Sequence, residues 1–186
     1  MNNLVKTGEK YMKKKLKVLG ISVLSLILVL IIGIGMIFKG EIRTLISFKQ
    51  LNEHPFYEMT YHADYNLDEF LINGAATDDE LVSFVTKQIL KGVSFDVNPD
   101  GACSTFIATN LEDENLFGRN FDYVHSIGLI VRTQPKNGYK SISLVNLNHL
   151  GLSLENMPTK NLINRIVTLA APYAPLDGMN EKGLAI

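Results

Sequence analysis

Asp100-Gly101-Ala102-Cys103-Ser104-Thr105-Phe106, followed by Gly118-Arg119-Asn120-Phe121-Asp122-Tyr123, decides how the rest of the chain is read. A turn cluster, Asp96-Val97-Asn98-Pro99-Asp100-Gly101, leads into a short run of alternating character from Cys103 to Thr109. A charged loop, Glu112-Asp113-Glu114-Asn115, separates it from a second run, Leu116 to Tyr123. Two such runs on either side of a polar loop predict a β-hairpin. With the loop centred near Asp113, the return strand sets Asp122 or Tyr123 opposite Cys103. Arg119 then lies three to four residues along, roughly 10–13 Å of strand. Arg119 and Asp122 also point to opposite faces of a regular strand, so bringing both to Cys103 calls for a bulge.

Outside this hairpin the dominant feature is Val18 to Phe38, 21 residues with neither charge nor proline. At about 1.5 Å per residue such a helix crosses a hydrocarbon core of roughly 30 Å. The apolar part of a cleaved signal peptide is shorter, about 7–15 residues, and ends in a small-residue cleavage site. Here the run passes directly into Phe38-Lys39-Gly40-Glu41, which favours a permanent anchor in the lipid bilayer through residues 18–38. Residues 1–17 hold six lysines against Glu9, while the remainder is acidic by six charges. Lysines beside a span mark the cytoplasmic side. Residues 1–17 are therefore expected to be a basic cytoplasmic tail of a single-pass protein, with residues 39 onward outside the cell membrane. A lysine cluster next to a span argues against a nucleic-acid partner.

Along the remaining chain, Ile42 to Leu51 reads as a short helix near the membrane, and Pro55 to Phe70 as two short extended pieces. Thr77-Asp78-Asp79-Glu80 is a capping box, and Leu81, Phe84, Val85, Gln88 and Ile89 recur at helical spacing. A helix over 78–91, ended by Gly92, follows. Ile127 to Thr133 and Lys140 to Leu147 read as strands about a turn at Pro135-Lys136-Asn137-Gly138. Thr159 to Ala171 reads as a helix ended by Pro172 and Pro175, Asp177 to Asn180 as a turn, and Gly183 to Ile186 as the start of a strand. The fold class expected is α+β.

Cys103 is the only cysteine, which excludes an internal disulfide. A lone thiol is either a small buried hydrophobe or a reactive group. No local signature pairs it with a histidine: His125 is nearest in sequence, and His54, His62 and His149 are scattered. No zinc motif is present, and no cofactor or metal is expected. The turn before Cys103 imitates half of an EF-hand loop, but its twelfth position is Ile107, where a bidentate glutamate is required. A base without histidine is the α-amine of Cys103 itself, freed by cutting the Ala102–Cys103 bond. A free α-amine titrates near 7.7–8.0, so a useful fraction is neutral at physiological pH. Arg119 would hold the thiolate by charge and Asp122 would orient the ammonium; read alone, the two are equally a surface arginine and a strand-ending aspartate.

Cys-Ser-Thr-Phe at 103–106, with Gly-Arg-Asn-Phe-Asp-Tyr at 118–123, resembles the opening of the choloylglycine hydrolase family. These linear-amide C–N hydrolases include penicillin V acylases and bile salt hydrolases, with acid ceramidase as a relative. Asp177-Gly178-Met179-Asn180-Glu181-Lys182-Gly183-Leu184 is similar to the family's Asn-Glu-x-Gly-Leu segment. The resemblance implies the αββα sandwich of N-terminal nucleophile hydrolases. It implies Cys103 as nucleophile, Arg119 beside it, and Asp122 at the new amino terminus. It makes residues 39–102 a propeptide-like helical segment and 103–186 the N-terminal part of the hydrolase domain. The family's oxyanion-hole asparagine falls beyond position 186, so the sandwich is expected to be incomplete. The activity implied is hydrolysis of a small-molecule amide, such as an N-acyl amino acid, a bile-salt conjugate or a penicillin-like amide. The competing expectations are an inactive fragment, or a non-catalytic membrane-tethered binding module with Cys103 buried.

Overall fold

The computed structural model describes residues 2–97, 102–123 and 126–186, in two units, 1–39 and 40–186. Most of the turn read before Cys103, and His125, lie outside the described residues. The first unit is one helix, α1 (Asn2–Ile37). Its segment Lys15–Ile37 spans 23 residues at a mean hydropathy of 2.8, long and apolar enough to cross a membrane. The helix continues through the lysine-rich residues before the apolar run.

The second unit is mixed α and β. Helix α2 (Lys39–Ser47) leads to strands β1 (Lys49–Gln50) and β2 (Phe56–Thr60). Helices α3 (Leu67–Asn73) and α4 (Asp78–Phe84) follow, the latter running into a π-helical turn at Val85–Ile89. The hairpin is β3 (Ala102–Thr109) and β4 (Asn115–Asp122). Next come β5 (Gly128–Thr133), β6 (Ser141–Asn146), α5 (Leu162–Val167) and β7 (Asp177–Asn180). A five-stranded sheet runs β1-β2-β5-β6-β7, and β3-β4 forms a second, two-stranded sheet. Among the described residues only β2 and β5 pair in parallel, which requires the long crossover that α3, α4 and the hairpin supply.

Alternation along the strands sorts the two faces of the larger sheet. Tyr57 and Met59 on β2, Leu129 and Val131 on β5 and Val145 on β6 are buried, in one cluster with Val85, Ile89, Leu169 and Ala170. Tyr61 follows β2 and donates its hydroxyl to the Leu169 carbonyl at 2.9 Å in the same core. The other face presents Phe56, Ile130, Ile142 and Leu144 to Phe117 of the hairpin across a groove of about 280 Å³.

Several expectations need correction. Residues 39–102, expected to be a propeptide-like helical segment with two short extended pieces between Pro55 and Phe70, supply two strands of the sheet, and β2, which falls among those extended pieces, is central to the core. The helix over 78–91 changes period at Val85, and Lys91 (φ 51°) and Gly92 (φ 97°) end it in the left-handed region. Thr77 does cap α4, accepting from the Glu80 amide at 3.2 Å, but the Glu80 carboxylate takes the Ala76 amide rather than that of Thr77. The helix from Thr159 is reduced to α5, capped by Asn161 and extended as a 3-10 turn, Thr168–Tyr173, that includes Pro172. Asp177 to Asn180 is a strand, not a turn, because the free edge of β6 pairs with it from Ser141 to Leu144. The turn moves on to Asn180–Gly183, and Ala185 bridges back to Met179.

Tyr61 makes the core sensitive to alkali. Burial, with Glu41 nearby adding to it, pushes its phenol above the ordinary tyrosine range. The folded chain thus keeps a proton that the unfolded chain releases near pH 10. Stability from this group is present below about pH 10 and is lost as pH rises further. Between about pH 9 and 11 the Tm is expected to fall more steeply in the natural protein than in Tyr61→Phe. At neutral pH the variant starts lower, because the Leu169 carbonyl loses its donor at a cost of about 1–3 kcal/mol. Parallel pH profiles would remove Tyr61 as the cause.

Candidate functional site

The site is built on the hairpin register. Asn110 folds the connecting loop, its side-chain oxygen accepting from the Glu112 and Glu114 amides, both at 2.9 Å. Asp113 sits in the left-handed region at φ 60°. Thr109 pairs with Asn115, so the loop is centred on Glu112, one position before Asp113. The whole register shifts with it: Phe121 stands opposite Cys103, Asp122 opposite Ala102 and Arg119 opposite Thr105.

Directly opposed residues of a hairpin point to the same face. Cys103, Thr105, Arg119 and Phe121 share one face, and Arg119 becomes the diagonal neighbour of Cys103. No bulge is needed, and the expected 10–13 Å separation disappears. Arg119 Nη2 donates to Cys103 Sγ at 2.7 Å. Phe117, Arg119 and Phe121 are half-buried, whereas Leu116, Asn120 and Asp122 are exposed, so β4 turns the side chains on the thiol's face inward while β3 stays exposed.

Arg119 is held from behind. Its Nη1 donates to the Leu176 carbonyl, and its Nε lies 3.6 Å from Asp177 Oδ2. The Nε contact is a charge pair without hydrogen-bond geometry, so this buried nitrogen has no hydrogen-bonding partner. Both side chains are about 15% exposed (14% and 16%), enough exclusion of water to strengthen their attraction. The guanidinium is thereby aimed at the sulfur by the residue before β7 and the first residue of β7. Leu176 and Asp177 were not among the residues expected at the site. The only sequence signal was that Asp177 opens the second resembling segment, where it reads as turn chemistry.

Asp122 is on the other face, its Oδ1 accepting from Asn120 Nδ2 at 2.9 Å. It stands beside the Ala102–Cys103 bond through its register partner Ala102, not beside the thiol. The Cys103 thiol is exposed, which departs from the buried-cysteine expectation. The structure therefore brings Cys103 and Arg119 together and leaves Asp122 apart from them.

A small aromatic group flanks the pair. The Phe121 and Tyr123 rings stack at 5.8 Å, and His149 meets them edge-on at 5.9 and 6.4 Å. His149 is thus the described histidine that reaches the hairpin, by way of the residue opposite Cys103. Among the described residues no group of three or more His, Cys, Asp or Glu side chains is placed to hold a metal ion. No family model, curated protein or solved structure matches the chain.

Proposed function

We propose that the chain is the precursor of a membrane-anchored cysteine amidohydrolase of the N-terminal nucleophile type. It activates by cleavage between Ala102 and Cys103 and hydrolyses a linear, non-peptide amide. The observation that carries the reading is the 2.7 Å contact between Arg119 Nη2 and an exposed Cys103 Sγ, with the guanidinium clamped from behind. A fixed donor against an accessible sulfur is an arrangement that a cysteine nucleophile uses.

In the activating step Sγ attacks the Ala102 carbonyl and the C–N bond breaks, giving a thioester that water hydrolyses. Residue 103 is left with a free amine. In turnover that amine takes the thiol proton, the thiolate adds to the substrate carbonyl, and the proton passes to the departing amine. Water then releases the acid from the acyl-enzyme. Asp122, opposite Ala102, is the carboxylate available to the new ammonium once the bond is cut. Helices on one face of a sheet and a hairpin on the other support the finer expectation of an αββα arrangement, as does the resemblance of residues 103–106 and 118–123. The candidate substrates remain N-acyl amino acids, bile-salt conjugates and penicillin-like amides, met outside the cell by a single-pass protein with a cytoplasmic N-terminus.

N-terminal sequencing of protein recovered from membranes tests the reading: a species beginning at Cys103 supports it, and its absence removes the proposed base. Arg119 offers a graded check. Arg119→Lys keeps the charge but loses the planar fork that meets Leu176, Asp177 and Cys103 together. Its kcat/KM on an N-acyl amide is expected to fall roughly 10-fold, and that of Arg119→Ala by about 10²-fold or more. Equal activity in all three proteins would sever Arg119 from the chemistry.

A further inference from the structure

A further cleft of the 40–186 unit lies apart from Cys103. It has a volume of about 660 Å³ and lies at the opposite end of the sheet, between the chain after β2 and the turn joining β5 to β6. His62 and Ala63 form one wall, Arg132, Lys136 and Lys140 contribute three permanent cations, and Glu181 is its one carboxylate. Among the described residues the Lys136 and Lys140 ammonium groups have no hydrogen bond or ion pair. Glu58, the carboxylate that senses Arg132, is already bridged to Lys49 at 2.7 Å. The cleft therefore carries uncompensated positive charge.

Its position is fixed by the covalent chain. The His62 and Ala63 amides donate to Thr44 Oγ1 of α2 at 2.8 and 3.2 Å. Gly40 lies so close that a Cβ there would meet Ala63 Cα at 2.7 Å. Gly40 is three residues beyond Ile37, where the membrane-length segment ends, so the chain separates them by about 10 Å at most. The polar layer on each side of the hydrocarbon is itself roughly 5–8 Å deep. The covalent chain therefore keeps Gly40, beside Ala63, close to the end of that segment. The outward stripe of α2 has matching character: Lys39, Ile42, Arg43 and Ile46 are exposed at helical spacing, two isoleucines beside two cations, as in helices that lie at an interface.

We propose that this cleft receives the phosphate of an anionic phospholipid and holds the 40–186 unit against the leaflet it emerges from. A guanidinium with two ammonium groups matches a phosphodiester: Arg132 offers a planar pair of donors, and Lys136 and Lys140 add point charges. The inference rests on the membrane anchor in the proposed function and is independent of Cys103. It adds a lipid site that amide hydrolysis does not require.

The test uses the full chain in nanodiscs of phosphatidylcholine alone, or with one quarter phosphatidylglycerol. A water-soluble amine reagent labels the lysines, and peptide masses report each site. In the anionic discs labelling of Lys136 and Lys140 is expected to fall about five-fold or more, the size of effect one cation near an anionic surface gives. Lys87 on the π-helical turn, away from the cleft, should change little. Arg132→Gln should restore labelling of Lys136, and Cys103→Ala should leave the protection intact whatever becomes of amide hydrolysis. Equal labelling in both discs overturns the site. The same protection from millimolar inorganic phosphate over phosphatidylcholine overturns the lipid assignment in favour of a free anion. Failure of the chain to enter either disc overturns the anchor on which the inference stands.

Discussion

Cys103→Ala is expected to abolish amide hydrolysis and, in the same protein, the chain end at residue 103, while leaving the melting temperature nearly unchanged. One sulfur serves both reactions, so both go together. Loss of a nucleophile typically costs at least about 10³-fold in kcat, and here the base is lost too, because no α-amine is released. Stability should barely respond: Cys103 is exposed, and exposed substitutions away from special features usually stay within about 0.5 kcal/mol. The clamp on Arg119 does not pass through the thiol, since Leu176 and Asp177 hold the guanidinium independently. Unfolding therefore cannot stand in for the result. Cys103→Ser separates the two roles, because its hydroxyl attacks more weakly yet keeps the geometry. Hydrolysis of an N-acyl amide by purified Cys103→Ala at the natural rate would end the amidohydrolase reading.

The hairpin was legible because its signals are local: a turn cluster, two alternating runs and a polar loop. Its register was not, because the loop's centre depends on Asn110 accepting from two amides and on Asp113 adopting a left-handed backbone. That single position decided the site. It set Arg119 diagonal to Cys103 without a bulge, with Asp122 on the far face. Asp177 was harder still, since the partners of Arg119 at the entry to β7 are nearly 60 residues away (57 for Leu176), beyond what spacing encodes. Asp-Gly-Met-Asn reads as a turn by composition and becomes a strand because β6 leaves an edge to pair with. β2 was half read: Phe-Tyr-Glu-Met-Thr alternates correctly, but nothing nearby in sequence announces a parallel partner more than seventy residues on.

That parallel pairing leads to the second large effect. If the Ala102–Cys103 bond is cut, the N-terminal piece is expected to stay bound and not to leave as a released propeptide. β2 pairs with β5 over five residues, from Phe56 with Gly128 to Thr60 with Arg132. Tyr57, Met59, Tyr61, Val85, Ile89 and Leu90 all lie on the N-terminal side of the cut and are each at most 5% exposed. At about 1.5–3 kcal/mol for each buried side chain, those six alone approach the whole stability of an ordinary domain. The C-terminal piece gives up the same contacts on separation, so it should neither dissociate nor stay folded alone. Membranes carrying the cleaved protein should retain both pieces through high-salt washing and release the piece beginning at Cys103 only in denaturant. Residues 103–186 produced alone should be insoluble or unfolded, and should be rescued by co-expression with residues 1–102. A soluble, folded 103–186 piece, or its appearance in the salt wash, would show that β2 is dispensable and that the N-terminal segment is a removable propeptide after all.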